Sequence, residues 1–166
     1  MVQNNYSFFF FFILLSFMVS SQEISKTHWA VKAVDVPKID GKLDDRVWSE
    51  PLETWSSGFI QRLPNEGSKP TSKTYFKIAY DKKFLYVGIQ CEDEKEYINR
   101  WMSSRDGYNG DWVEIVLDTY HDKRTAFSFT LSAASVKSDK YITLNGTEED
   151  VAWNPIWYAQ SEVNEV

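Results

Sequence analysis

The chain has 166 residues, a net charge of -6, a pI near 5.0 and 43% apolar residues. That balance describes a globular chain rather than a disordered one. It argues against a nucleic-acid backbone or an anionic membrane surface as partner, since both require clustered lysine and arginine. Aromatics stand out at 16%, with 7 Trp, 9 Tyr and 11 Phe. All the tryptophans follow the first apolar run. So many in one domain raise the expectation of an aromatic binding surface.

Residues 8–19 (FFFFFILLSFMV) form that run. A membrane-spanning helix needs about 20 apolar residues, so this stretch is too short, but it has the length of a secretory h-region. Small residues follow at Ser20 and Ser21, which places cleavage before Gln22. Residues 1–21 are therefore read as a signal peptide and 22–35 as a lead-in. About 144 residues remain, enough for one domain with its own core. An exported chain whose one cysteine is Cys91 has no internal disulfide. Cys91 shares strand parity with Leu85, Val87 and Ile89, so a buried packing role is expected rather than a reactive thiol.

The domain opens on residues 39–48 (IDGKLDDRVW). Asp40-Gly41 is a turn pair. Asp44 is positioned to cap a short turn through Arg46, Val47 and Trp48, which Pro51 stops. Leu43, Val47 and Trp48 share one apolar side, so the stretch reads as a plug whose tryptophan closes one end of the fold.

Beyond it the pattern has period two. Residues 74–80 (TYFKIAY) align Thr74, Phe76, Ile78 and Tyr80. Residues 84–92 (FLYVGIQCE) align Leu85, Val87, Ile89 and Cys91. The intervening Asp81-Lys82-Lys83 has hairpin length. Residues 95–102 suggest one or two helical turns. Residues 111–119 align Val113, Ile115 and Leu117 against Trp112, Glu114 and Val116. Residues 126–131 align Phe127, Phe129 and Leu131 against serine and threonine. Residues 140–144 and 157–163 read as weaker strands. Half-buried strands joined by short polar turns predict an all-β, antiparallel sandwich of jelly-roll or immunoglobulin-like type, with one or two short helical turns. The last strand ends without a turn or partner, so the chain reads as the N-terminal piece of a longer protein.

These segments, in order, bring a family into view. IDGKLDDRVW resembles the IDG-x-LDE-x-x-W opening of carbohydrate-binding module family 9-like domains. Phe59-Ile60-Gln61-Arg62-Leu63-Pro64 is similar to the F-x-Q-x-x-P segment of a Bacteroidetes subgroup. Tyr80-Asp81 with Leu85-Tyr86-Val87 resembles its hairpin. Arg105-Asp106, then residues 111–120 (DWVEIVLDTY), resemble its RD…D-x-V-x-I-x-LDT block, and Trp153-Asn154-Pro155-Ile156-Trp157 its W-x-x-x-W segment. The likeness runs over residues 36–166. Residues 131–136 (LSAASV) depart from the subgroup's N-P-x-G turn.

The resemblance implies sugar binding by two tryptophans, often with structural calcium. It also implies a role in carbohydrate catabolism and a downstream outer-membrane β-barrel, placing the protein in the periplasm, the outer membrane or outside the cell. The Asn-x-x-Trp spacing of that family falls on Asn154 and Trp157. Trp101 or Trp112 could supply the second ring. Arg105, like Arg100, and Glu114 beside Trp112 could bind hydroxyls, since sugars offer an apolar face to rings and a polar rim to charged groups. Asp106 and Asp111, then Asp118 and Asp122, are the oxygen ligands a cation would use. Solvated turns account for the same residues.

A glycosidase needs two carboxyl groups about 5–9.5 Å apart. Glu114 and Asp118 share a strand face but lie roughly 13 Å apart at strand rise. No catalytic residues are assigned. Two alternatives stay open: a module that docks on its own downstream barrel, and the accessory module of a glycoside hydrolase.

Overall fold

The structure is a computed structural model and describes residues 26–107 and 109–164. The apolar run at 8–19 and the signal peptide read from it lie outside the described residues. Among the described residues seven strands form two sheets, and the helical elements are 3-10 turns of three residues each. The architecture is thus an all-β sandwich.

The first sheet has the order β1-β2-β3, from β1 (Val31–Lys32), β2 (Thr74–Tyr80) and β3 (Leu85–Cys91). β2 and β3 are the expected antiparallel hairpin, pairing Thr74 with Cys91 and Tyr80 with Leu85. β1 lies in the lead-in and pairs parallel with β2, a departure from an all-antiparallel pattern.

The apolar alternation gave the wrong inner face for this hairpin. Tyr86 and Ala79 are buried, whereas Leu85 and Cys91 at the ends of the other row are exposed. The reason is steric. Ala79 is fully buried, and a Cβ on Gly88 would lie 3.1 Å from Leu43 and from the Trp48 ring. Small residues on one face leave room for large side chains from another segment. Cys91 is therefore exposed at the strand end. Desolvation still raises its thiol pKa, the Thr74 hydroxyl partly offsets this, and the Asp111 and Asp93 charges add to it.

That other segment is the opening plug. Arg46–Trp48 and Leu52–Thr54 are 3-10 turns. Trp48 and Trp55 are 6% and 5% exposed and pack at 5.9 Å with Ala79 and Tyr86, flanked by Leu43 and Val47. Burying each such ring contributes about 1.5–3 kcal/mol. Asp44 does not cap the turn. Asp45 precedes it and makes no side-chain cap; its carboxylate instead accepts from the Lys38 amide. The helical stretch expected over 95–102 is one 3-10 turn, Lys95–Tyr97.

The second sheet has the order β4-β5-β6-β7, from β4 (Trp112–Leu117), β5 (Ala126–Ser132), β6 (Lys137–Thr143) and β7 (Glu148–Asp150). Its strands are antiparallel, with Ile115 opposite Phe129 and Phe129 opposite Asp139. The stripe Val113, Ile115, Leu117, Phe127, Phe129, Leu131 thus shares one face with Asp139 and Tyr141. Residues 153–164 cross that face. They alternate half-buried odd positions with exposed even ones. The strand expected over 157–163 is extended in this sense but joins no ladder.

Candidate functional site

The aromatic face of the second sheet builds the site. Phe127 stacks on Tyr141 at 5.0 Å and meets Trp153 at 4.9 Å. Phe129 meets Trp153 and Trp157 edge to face, at 5.6 and 5.3 Å. These rings hold the crossing segment in place, and so fix where Asn154 and Trp157 sit.

Beside this cluster stands Asp139, only 1% exposed. Its Oδ1 accepts from Arg105 Nη2 at 2.6 Å and from the Trp157 indole N–H at 3.0 Å. The same Arg105 nitrogen donates to Asn154 Oδ1 at 2.7 Å. Asp139 Oδ2 is buried and has no partner among the described residues. A buried unpaired acceptor costs about 1–3 kcal/mol, so such an atom marks a place where the fold tolerates cost. Lys137 sits over the Trp157 ring, its Nζ 5.2 Å from the centroid, and donates to Trp157 O at 2.9 Å. A cation over an indole face is favourable in itself.

Three residues singled out from the sequence, Arg105, Asn154 and Trp157, therefore meet at one point. Arg105 is 40% exposed and Asn154 is exposed, so both present polar groups to solvent. The Trp157 N–H is engaged by Asp139 and Lys137 sits over its ring, so what this half-buried indole has to offer a ligand is the part of the ring left uncovered. Trp101 is 65% exposed on the connection that carries Arg105. Asp106, the next residue, donates its amide to Lys137 O at 3.1 Å, which anchors the Arg105 loop to β6.

Trp112 and Glu114 lie elsewhere. They occupy the opposite face of the second sheet, in register with Ser132 and Thr130. Trp112 is 45% exposed. Glu114 accepts from Ser128 at 2.5 Å and pairs with Lys140 at 3.3 Å. Burial alone would lower the Lys140 pKa, but the Glu149 hydrogen bond and the Glu114 charge outweigh it and raise it. This face is a charge network over small hydroxyls, with Ser128, Thr130 and Ser132 buried beneath it.

The four aspartates considered for a cation do not converge. Asp106 lies 3.6 Å from Arg105 Nε, and Asp111 accepts from the Asn99 amide. Asp118 accepts from the amides of Asp122 and Lys123. Asp122 accepts from those of Arg124 and Thr125, which holds its carboxyl below the usual range. Asp118 and Asp122 organise their own turn, whereas Asp106 pairs with its neighbour Arg105 and Asp111 ties the Asn99 segment to the start of β4. No group of three or more potential metal ligands occurs among the described residues.

Asp139, Lys137 and Phe129 were not singled out from the sequence as site residues. Asp139 sits in Ser138-Asp139-Lys140, where the expected strand began too late. Its parity with Tyr141 was the available signal, but it needed the pairing register to be useful.

No curated protein and no solved structure matches the chain. The model of one family, described as carbohydrate family 9 binding domain-like, matches residues 39–164, which take in the opening plug, strands β2 to β7 and the crossing segment. With that match over most of its length, the chain belongs to the carbohydrate family 9 binding domain-like family.

Proposed function

We propose that the chain binds oligo- or polysaccharides without catalysis, at the point where Arg105, Asn154 and Trp157 meet over Asp139. The observation that carries this reading is that convergence, in a member of a carbohydrate-binding family. Guanidinium and amide groups bind hydroxyls, and an indole ring packs on the apolar face of a pyranose. Trp101, exposed on the Arg105 connection, is the ring proposed to complete the slot. The apolar run at 8–19 supports export, and we propose that the module serves a larger envelope protein that handles carbohydrate.

Calorimetric titration against a panel of mono- and oligosaccharides tests the proposal. At least one sugar should bind, and Arg105→Ala should weaken it about ten- to hundredfold, the range for hydrogen bonds to a charged group. A folded sample that binds no sugar in the panel would refute it.

A further inference from the structure

A concavity lies at the open end of the β2–β3 hairpin. It is an open groove of about 630 Å³ between residues 71–73 on one side and Glu92, Asp93, Glu94 and Tyr97 on the other. The Glu92 amide donates to Lys73 O at 2.8 Å, which ties the two sides together. Tyr97 is anchored by its own amide, which donates to Glu94 O at 2.9 Å, while the residue as a whole stays 62% exposed. The groove thus combines a presented ring, the hydroxyls of Thr71 and Ser72, the Lys73 ammonium and three carboxylates.

The mixture selects a chemistry. A ring with a rim of donors and acceptors suits a polyhydroxylated ligand. Three carboxylates against one lysine disfavour an anionic one. The groove is also tied by chain to the site above. Trp101 is four residues and Arg105 eight residues from Tyr97 on one connection, so their Cα atoms are within about 14 Å and about 29 Å of that of Tyr97. That connection is clamped midway, since the Asn99 amide donates to Asp111 Oδ2 at 2.9 Å and the Asp111 amide donates to Asn99 O at 3.1 Å. Arg100 is turned to the second sheet, its Nε bonding Ala133 O, while Trp101 beside it is exposed.

We infer that the Tyr97 groove is a second subsite for a neutral oligosaccharide whose first unit occupies the Arg105–Trp157 site, so that the chain reads length as well as sugar type. This inference rests on the proposed function.

The test is a titration of neutral gluco-, manno- and xylo-oligosaccharides from the monosaccharide to the hexasaccharide, with oligouronates of equal length alongside. Affinity should rise with length for a neutral series and fall off for the uronates. Tyr97→Ala should remove about tenfold of that gain, the upper range for one aromatic contact, and leave monosaccharide affinity unchanged. Glu94→Gln probes the rim separately and should also reduce the gain if Tyr97→Ala fails to fold. Monosaccharide binding with no gain in length, or a gain untouched by either folded variant, overturns the second subsite alone. A chain that binds no sugar of any length overturns both readings.

Discussion

At the scale of single residues, Asp139 organises the site without being its most visible member. One oxygen receives both the Arg105 guanidinium and the Trp157 indole N–H. Asp139→Ala would leave the Trp157 indole N–H without its acceptor and take from Arg105 its buried carboxylate, while Asn154 and Asp106 stay beside the guanidinium. Losing a buried acceptor costs about 1–3 kcal/mol, and the cation is partly screened because Arg105 is 40% exposed. We predict a loss of about 2 kcal/mol for Asp139→Ala in chemical denaturation. Asp139→Asn should lose clearly less, because an amide oxygen can still accept from both donors. Equal losses for the two variants would show that the negative charge, which both remove, carries the contribution and not the acceptor oxygen. Sequence reasoning found the donors and missed the acceptor for a physical reason. Arg105 carries chemistry recognisable from residue type, and Asn154 and Trp157 stand at the Asn-x-x-Trp spacing of the resembled family. Asp139 acquires its role only by lying opposite Phe129 in the ladder.

At the scale of elements, the β2–β3 hairpin was legible almost to the residue. Two runs of aromatic and β-branched residues flank a polar turn, and local chemistry decides such a structure. Its inner face was not legible, because Ala79 and Gly88 act through the space they leave free for Trp48. The turn itself depends on Asp81. Its carboxylate accepts from the amides of Lys83 and Phe84 and from the Tyr86 hydroxyl. The Lys83 bond first, then those of Phe84 and Tyr86, hold its pKa below the ordinary value. A depressed carboxyl stabilises the fold above the unfolded value of about 3.9, and the contribution is lost as pH falls through the lower folded value. Stability followed by urea midpoints from neutral pH down through the acid range should therefore decline in the wild type. Asp81→Asn should start lower and show a shallower acid decline, the remainder coming from groups such as Asp122. Parallel curves would mean that the turn does not couple to protonation.

At the scale of the whole molecule, the segment over residues 153–164 joins what the two sheets leave apart. Trp153 and Trp157 lie on the aromatic face. Ser161 Oγ donates to the carbonyls of Ser132 and Ala133, and its amide donates to Ser135 Oγ. The same segment then reaches the opening plug. A Cβ on Gly41 would lie 2.9 Å from Glu162 N and from the Ser161 carbonyl carbon, and Gly41 holds φ at 87°. The sequence marks both ends of this arrangement, since Asp40-Gly41 is a turn pair and residues 157–163 alternate. It could not show that they meet, because the contact is backbone against a missing side chain. Gly67 offers the control, with φ at 78° and nothing within 4 Å of an added Cβ. Both glycine-to-alanine changes force an L-residue into the left-handed region, at about 1–2 kcal/mol. Gly67→Ala should cost only that. Gly41→Ala must also displace backbone at 161–162, so its loss should exceed that of Gly67→Ala by about 1–3 kcal/mol, the usual range for overpacking. Because the displaced segment carries Trp157 and Asn154, sugar affinity should fall in Gly41→Ala and hold in Gly67→Ala. Denaturation and calorimetric titration of the two variants side by side decide the matter: matching losses in both measurements would mean that the plug and the crossing segment are independent, and that the site does not depend on their contact.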